Sequence, residues 1–303
     1  MILRRPRSLV AVLAAAALLA AGCGSSNESG SSDTSSTAAP TTAVSTEVSS
    51  SSQAPSSADT APPASQSSAA VPSSGSGDVQ LSGTLTVYAA ASLKKVFDQL
   101  ATDFGKEHPG LTVNPITYDG SSTLATQLIG GADADVFASA DNKNMAKVTD
   151  AKLAADPVEF ATNTLEIAVA PGNPKKVTGL KDLTSLTVVL CAPEVPCGSA
   201  AQTVLKAAKV DLKPASEEQN VTAVLTKVEA GEADAGLVYK TDVQGAGGKV
   251  DGVEFPESSG AVNHYPIVAL TGSKNPTAAK AFIEYVTGPV GQKALADAGF
   301  VTK

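Results

Sequence analysis

The chain has 303 residues, with 22 basic and 30 acidic side chains, a formal net charge of −8 and no tryptophan. Because the chain is acidic and has no cluster of basic residues, it is not expected to bind nucleic acid. Any small anion that it binds must be held by local dipoles rather than by a general positive field.

Residues 1–22 have the pattern of an export signal. Arginines near the start precede an apolar stretch over residues 9–20. About a dozen apolar residues are too few to cross a bilayer as a mature helix, so this segment is predicted to be a cleaved signal peptide. The small residues before Cys23 resemble a lipobox, although the usual leucine is replaced by Ala20. We therefore expect a lipid on Cys23 and an extracytoplasmic lipoprotein at the outer face of the cytoplasmic membrane, with plain secretion as the alternative.

Residues 23–80 are predicted to form a disordered linker behind this anchor. They consist mostly of Ser, Thr, Ala, Pro and Gly, and they include no aromatic residue, lysine or arginine. Such a segment buries too little apolar surface to offset the entropy lost on ordering. The folded part of the chain is therefore expected to begin near residue 81.

Beyond residue 80, short apolar stretches alternate with helical patterns. Strands are predicted over residues 84–89, 112–117, 134–138, 165–170, 187–190, 235–239 and 265–270. Helices are predicted over residues 93–107, 123–130, 142–150, 199–209, 222–229 and 276–287. This alternation is typical of α/β folds, in which parallel sheets are flanked by helices.

Two serines stand where a strand passes into a helix. Ser92 follows the small residues of the first strand, and Ser121 follows Asp119-Gly120 after the second. A helix N-terminus has unpaired N–H groups and a partial positive charge, so a serine hydroxyl there adds to an anion site. The simpler interpretation is an ordinary N-cap. Residues 190–199 and 218–222 also lead into helices, and four such starts suggest two lobes that close over one small anion.

Ordered short motifs accompany these helix starts. They lie at residues 88–93, 120–125, 134–141, 193–196, 236–242, 265–267 and 299–300. Together they resemble the periplasmic molybdate-binding proteins of ABC importers, which have the two-lobed fold of type II substrate-binding proteins. The resemblance implies an α/β fold in which each lobe is a mainly parallel sheet flanked by helices. It places one lobe at residues 81–161 and 265–303, and the other at residues 162–264.

The resemblance also implies a site for an oxyanion. Ser92 and Ser121 would donate through their hydroxyl and backbone N–H groups, Cys197 and Val221 through backbone N–H groups, and Tyr239 through its phenol. Ser122 is a further candidate beside Ser121. The implied ligand is molybdate or tungstate, whose metal is bound as the oxyanion without direct metal ligands. Neither a cofactor nor a catalytic residue is implied, and the implied partners of this monomer are an ABC permease and its ATPase.

The chain has three cysteines, and with Cys23 assigned to the lipid, Cys191 and Cys197 remain. Export favours a disulfide between them, which would hold the loop between residues 191 and 197 in shape. A zinc site is the alternative, but these two cysteines and the distant His108 and His264 do not have zinc-ligand spacing.

Other functions remain open at this point. Within the binding class, the ligand could be sulfate or another tetrahedral oxyanion. An exported serine hydrolase would use Ser92 or Ser121 with His264, although neither serine lies in a Gly-x-Ser-x-Gly motif. The long linker and acidic body also suit a surface module that binds proteins.

Overall fold

The computed structural model describes residues 80–303. The predicted signal peptide, the lipid on Cys23 and the linker up to residue 79 lie outside the described residues. Among residues 80–303, no helix is both long enough and apolar enough to cross a membrane.

Strands and helices alternate along the described chain. The strands are β1 Gly83–Leu85, β2 Val87–Ala90, β3 Leu111–Val113, β4 Thr117–Asp119, β5 Val136–Ala138, β6 Val158–Asn163, β7 Leu165–Val169, β8 Val188–Cys191, β9 Ser216–Glu218, β10 Ala235–Tyr239, β11 Asp251–Val253 and β12 Asn263–Ala269. The helices are α1 Lys94–Glu107, α2 Ser121–Ile129, α3 Asn142–Asp150, α4 Pro196–Ala208, α5 Val221–Glu229, α6 Lys240–Gly245, α7 Pro276–Thr287 and α8 Pro289–Asp297. Short 3₁₀ helices cover Ala91–Leu93, Leu180–Ser185 and Pro256–Gly260.

Two five-stranded sheets organise these elements. The first sheet has the order β4-β2-β5-β12-β6 and the second has the order β11-β7-β10-β8-β9, while β1 and β3 form a separate parallel pair. The predicted α/β class is confirmed, but each sheet is mixed rather than mainly parallel. In the first sheet β12 is antiparallel to both neighbours, and in the second β7 is antiparallel to both. The chain leaves the first sheet through β6, enters the second as β7 and returns through β12.

The first sheet is covered by helices on both faces. Helix α1 packs against one of these faces. Its buried residues recur with helical spacing along one side of the helix, and they are Val96, Phe97, Leu100 and Phe104. Phe97 and Phe104 meet Phe282 of α7 edge to face, at centroid distances of 6.1 and 5.3 Å. The core of the second sheet is mostly aliphatic. Burial of these apolar faces is the main term that holds each sheet to its helices.

Two predicted strands are interrupted in the structure. The stretch 84–89 divides into β1 and β2 at Thr86, whose N–H donates to the Asp135 carboxylate over 2.7 Å. The stretch 112–117 divides into β3 and β4 around Pro115, which has no N–H for a sheet hydrogen bond. Strands β6, β9 and β11 and helices α6 and α8 are not predicted by the sequence patterns.

The connection between the sheets lies close to the predicted lobe boundaries. Strand β6 of the first sheet extends to Asn163 before the chain crosses, and β12 begins at Asn263, where the two asparagines pair in register. The division into residues 81–161 with 265–303 and 162–264 stays a prediction.

Candidate functional site

A small cavity lies where the carboxyl ends of strands from both sheets meet. It encloses about 190 Å³ of space, a figure that includes its opening to solvent. Its lining residues are Ala90, Ala91, Ser92, Asp119, Gly120, Ser121, Ala140, Val195, Pro196, Cys197, Asn220, Val221 and Tyr239. Binding sites of α/β proteins lie beyond such strand ends. Larger cavities occur elsewhere among residues 80–303, but none of these three is lined by residues from the starts of α2, α4 and α5 together.

The predicted oxyanion residues come together in this cavity. Ser92, Ser121, Cys197, Val221 and Tyr239 all line it, although they belong to different elements of both sheets. Ser122 is buried beside Ser121 but does not line the cavity.

Ser121 is held so that its hydroxyl hydrogen can point into the cavity. The residue is fully buried, and its Oγ accepts a hydrogen bond from the backbone N–H of Ala140 over 2.9 Å. Gly120, not Ser121, is the N-cap of α2, and no side chain caps this helix. A hydroxyl has one donor, so Ser121 keeps that donor for a ligand while its oxygen is engaged from behind.

Ser92 has a similar arrangement. It lies inside the 3₁₀ helix Ala91–Leu93, where no side chain caps the N-terminus. Its Oγ is 3.0 Å from the hydroxyl of Tyr265, a fully buried residue of β12. Burial raises the pKa of Tyr265, so the phenol stays protonated and can donate to Ser92. When Tyr265 donates, the Ser92 hydroxyl hydrogen is free for an anion.

Tyr239 is the most unusual polar group of the cavity. It ends β10 with only 1% of its surface exposed, and its hydroxyl has no hydrogen-bond partner within residues 80–303. The Tyr265 ring is 6.1 Å away between centroids, near enough for an electrostatic effect. Burial, and then the neighbouring Tyr265, raise the pKa of Tyr239, which therefore remains a neutral donor. A buried hydroxyl without a partner costs about 1–3 kcal/mol, so this group is suited to a ligand.

Helix starts from the second sheet supply backbone donors. In α4, Pro196 is the first residue and has no N–H, so Cys197 carries the first amide of that helix. In α5, Val221 follows the N-cap Asn220, whose side chain accepts from the Ala223 amide over 3.0 Å. The first N–H groups of a helix have no partner inside it, and the helix dipole makes them attractive to anions.

The start of α4 is held tightly against the loop before it. The structure contains a disulfide between Cys191 and Cys197, with a Cα–Cα distance of 5.7 Å. A Cβ on Gly198 would overlap the carbonyl oxygen of Ala192, so glycine is needed for this close packing. The disulfide and this packing place the Cys197 amide at the cavity wall.

The cavity wall carries no lysine, arginine or histidine, but it does carry Asp119. The Asp119 carboxylate accepts hydrogen bonds from the Gly120 amide over 2.7 Å and from the Asn220 side chain over 2.9 Å. Neither Asp119 nor Asn220 is singled out by the sequence. Only their positions in the sequence could have indicated a role at the site. Asp119 precedes Gly120-Ser121, and Asn220 directly precedes Val221.

His264 lies away from this cavity. Its Nδ1 is 2.9 Å from a carboxylate oxygen of Glu159, and the residue is exposed. The serine hydrolase alternative needs this histidine beside Ser92 or Ser121, and the structure does not bring them together.

Comparisons with known proteins concern the sequence and the fold of this chain. Residues 85–301 match the family described as bacterial extracellular solute-binding protein. The chain is 47% identical over 231 residues to the molybdate-binding protein ModA of Mycobacterium tuberculosis H37Rv, covering 75% of this chain and 88% of that protein. Its structure resembles the periplasmic molybdate-binding protein of Azotobacter vinelandii, with a TM-score of 0.63, 22% identity, and coverage of 72% and 99%. It also resembles the sulfate-binding protein SubI of M. tuberculosis, with a TM-score of 0.60, 20% identity, and coverage of 72% and 86%. These two structural likenesses concern the fold.

Proposed function

The chain belongs to the family of bacterial extracellular solute-binding proteins, and from this premise we propose that it captures molybdate, and also tungstate, for an ABC importer. The observation that carries the proposal is the cavity in which uncharged donors from both sheets converge. The similarity to the M. tuberculosis molybdate-binding protein supports the choice of oxyanion.

The donor set has the chemistry that a tetrahedral dianion needs. Ser92, Ser121 and Tyr239 donate through hydroxyl groups, and Cys197 and Val221 donate through amides at helix starts. A buried dianion is stabilised when many oriented N–H and O–H groups replace its water. The Tyr239 hydroxyl, which has no partner within residues 80–303, then gains an acceptor. The four oxygens of molybdate carry no proton, so together they can accept hydrogen bonds from all of these groups.

Sulfate is the competing ligand, because it has the same charge and shape as molybdate. Its shorter bonds make it smaller, so the same donors would form longer hydrogen bonds to it. The distances between helix starts therefore decide selectivity, and the disulfide at Cys197 helps to keep one of these distances constant.

Delivery follows from closure of the two sheets on the anion. The proposal treats residues 81–161 with 265–303 as one lobe and residues 162–264 as the other. The protein acts as an extracytoplasmic monomer without catalytic activity or cofactor. A lipid on Cys23 anchors it after signal-peptide removal, and the linker lets it reach the permease and its ATPase.

A thermal-shift titration tests this function directly. The purified protein is heated with molybdate, tungstate, sulfate or phosphate at increasing concentration. A ligand at about a hundred times its dissociation constant adds roughly 2.7 kcal/mol of stability, or about 5–10 °C in melting temperature for a body of this size. We expect that shift with molybdate and tungstate at concentrations where sulfate has little effect. The absence of a shift with any oxyanion would refute the proposal.

A further inference from the structure

One hydrogen bond joins the two sheets at the wall of the cavity. Asp119 ends β4 of the first sheet, and Asn220 caps α5 beside the second. The Asn220 Nδ2 donates to Asp119 Oδ1 over 2.9 Å, although the residues are 101 positions apart in the chain. Both residues line the cavity, and both are partly buried.

The backbones also approach closely at this point. A Cβ on Gly120 would overlap the carbonyl oxygen of Gln219 and would lie 3.1 Å from Cγ1 of Val195. Gly120 belongs to the start of α2, while Gln219 and Val195 belong to the second sheet's loops. The two bodies are therefore in van der Waals contact where Asp119 meets Asn220.

Asp119 Oδ1 holds two donor helices at once. It accepts from the Gly120 amide over 2.7 Å, directly before Ser121 of α2. It also accepts from Asn220, directly before Val221 of α5. Asn220 is itself fixed, because its Oδ1 accepts from the Ala223 amide. A single carboxylate oxygen thus sets the distance between the Ser121 and Val221 donors.

The negative charge of Asp119 is unexpected in a cavity that binds an anion. A carboxylate in the wall of an anion cavity repels a dianion, and the repulsion is stronger where water is excluded. Its two hydrogen bonds spread part of that charge onto the donors. The two hydrogen bonds to Asp119 are explained if the carboxylate draws the starts of α2 and α5 together and does not itself contact the ligand.

Resting on the proposed function, we infer that Asp119 and Asn220 form an interlobe latch that assembles when the lobes close on the oxyanion. Both are positioning residues. The latch sets the spacing of the α2 and α5 starts around the anion and slows its release. In the open protein Asp119 is solvated and Asn220 still caps α5, so the latch adds nothing to the stability of the ligand-free protein.

The first test is Asn220→Ser. Serine caps a helix as well as asparagine does, but its hydroxyl is too short to reach Asp119. We expect the dissociation rate of molybdate to rise about 5- to 20-fold, the range for loss of one hydrogen bond to a charged acceptor in a partly exposed site. The melting temperature of the ligand-free protein should stay within about 1 °C of wild type.

Asn275→Ser is the matched control. Asn275 also caps a helix, α7, by accepting from the Ala278 amide, and its Nδ2 donates to the Ser82 and Thr84 carbonyls away from the cavity. The same substitution there should lower the melting temperature and leave the molybdate dissociation rate unchanged.

A second pair of variants separates the hydrogen bond from the charge. Asp119→Ala and Asp119→Asn both remove the negative charge, but only asparagine keeps an acceptor oxygen for Asn220. We expect the dissociation constant of Asp119→Ala to exceed that of Asp119→Asn by about 5- to 20-fold. Equal constants would show that charge alone matters and would overturn the latch.

The remaining outcomes are equally decisive. A wild-type dissociation rate in Asn220→Ser overturns the latch, and so does a faster rate accompanied by an equal loss of ligand-free stability. If the wild-type protein binds molybdate in both cases, the proposed function stands without the latch. If the wild-type protein binds none of the four oxyanions, the proposed function fails and the latch fails with it.

Discussion

Replacing Tyr239 by phenylalanine should weaken anion binding and leave the stability of the ligand-free protein close to that of wild type. The Tyr239 hydroxyl is buried and has no hydrogen-bond partner within residues 80–303. The described structure has the two sheets in contact at the cavity, whereas in the open, ligand-free protein water reaches this hydroxyl. Because water satisfies the hydroxyl in the open protein, we expect its removal to change the free energy of unfolding without ligand by less than about 0.5 kcal/mol, or about 1–2 °C in melting temperature.

Binding should weaken because the anion loses a donor. A hydrogen bond to a charged acceptor contributes about 1.5–3 kcal/mol, which corresponds to a 10- to 150-fold larger dissociation constant for molybdate.

Calorimetry measures both effects, by thermal unfolding without ligand and by titration with molybdate. Tyr265→Phe is the matched control, because the Tyr265 hydroxyl is also fully buried but has Ser92 as a partner. That variant should lower the ligand-free stability by about 1–2 kcal/mol, because its hydrogen bond to Ser92 lies within the proposed lobe of residues 81–161 and 265–303 and persists in the open protein. A Tyr239→Phe protein that binds molybdate as well as wild type does would refute the reasoning.

Three further predictions concern the serines, the disulfide and Asp242. Ser92→Ala and Ser121→Ala should each weaken molybdate binding by about 1–3 kcal/mol in a titration, and unchanged affinity would remove that serine from the site. Reducing the Cys191–Cys197 bridge should release the start of α4 and raise the molybdate dissociation constant; an unchanged binding curve under reducing conditions would leave the bridge a purely structural role. Burial raises the pKa of Asp242 from 3.8 to about 7, because protein surrounds its carboxyl group although the side chain keeps some solvent contact. The unfolded chain therefore ionises first, so unfolding free energy should fall between about pH 4 and pH 7 by at most about 1.4 kcal/mol per pH unit, and a pH series on Asp242→Asn that kept the full slope would contradict this.

Local patterns predict much of the fold. The helices at 142–150 and 276–287 and the strand at 235–239 have the same bounds in the sequence patterns and in the structure. Their apolar spacing and end signals lie within the segments themselves, so no distant residue is needed to define them. Strands β9 and β11 are too short to show a period, and they become strands only because a neighbouring strand supplies hydrogen bonds.

The part of the candidate site that lies in family motifs could be predicted from the sequence, whereas the hydrogen bond between distant residues could not. The family resemblance pointed to Ser92, Ser121 and Tyr239, and the structure places all three at one cavity. It did not point to Asp119 or Asn220, because an acid beside an anion site has no evident role until its distant partner is known.

By itself, the sequence determined the alternation of strands and helices, the residues at which helices begin and the acidic character that leaves anion binding to uncharged donors. These properties depend on neighbouring residues and on composition. Only the tertiary structure decided which helix starts face each other, which hydrogen bonds engage Ser92 and Ser121 from behind, and that the Tyr239 hydroxyl has no partner within residues 80–303. Each of these depends on groups that lie far apart along the chain and meet only when both sheets are packed.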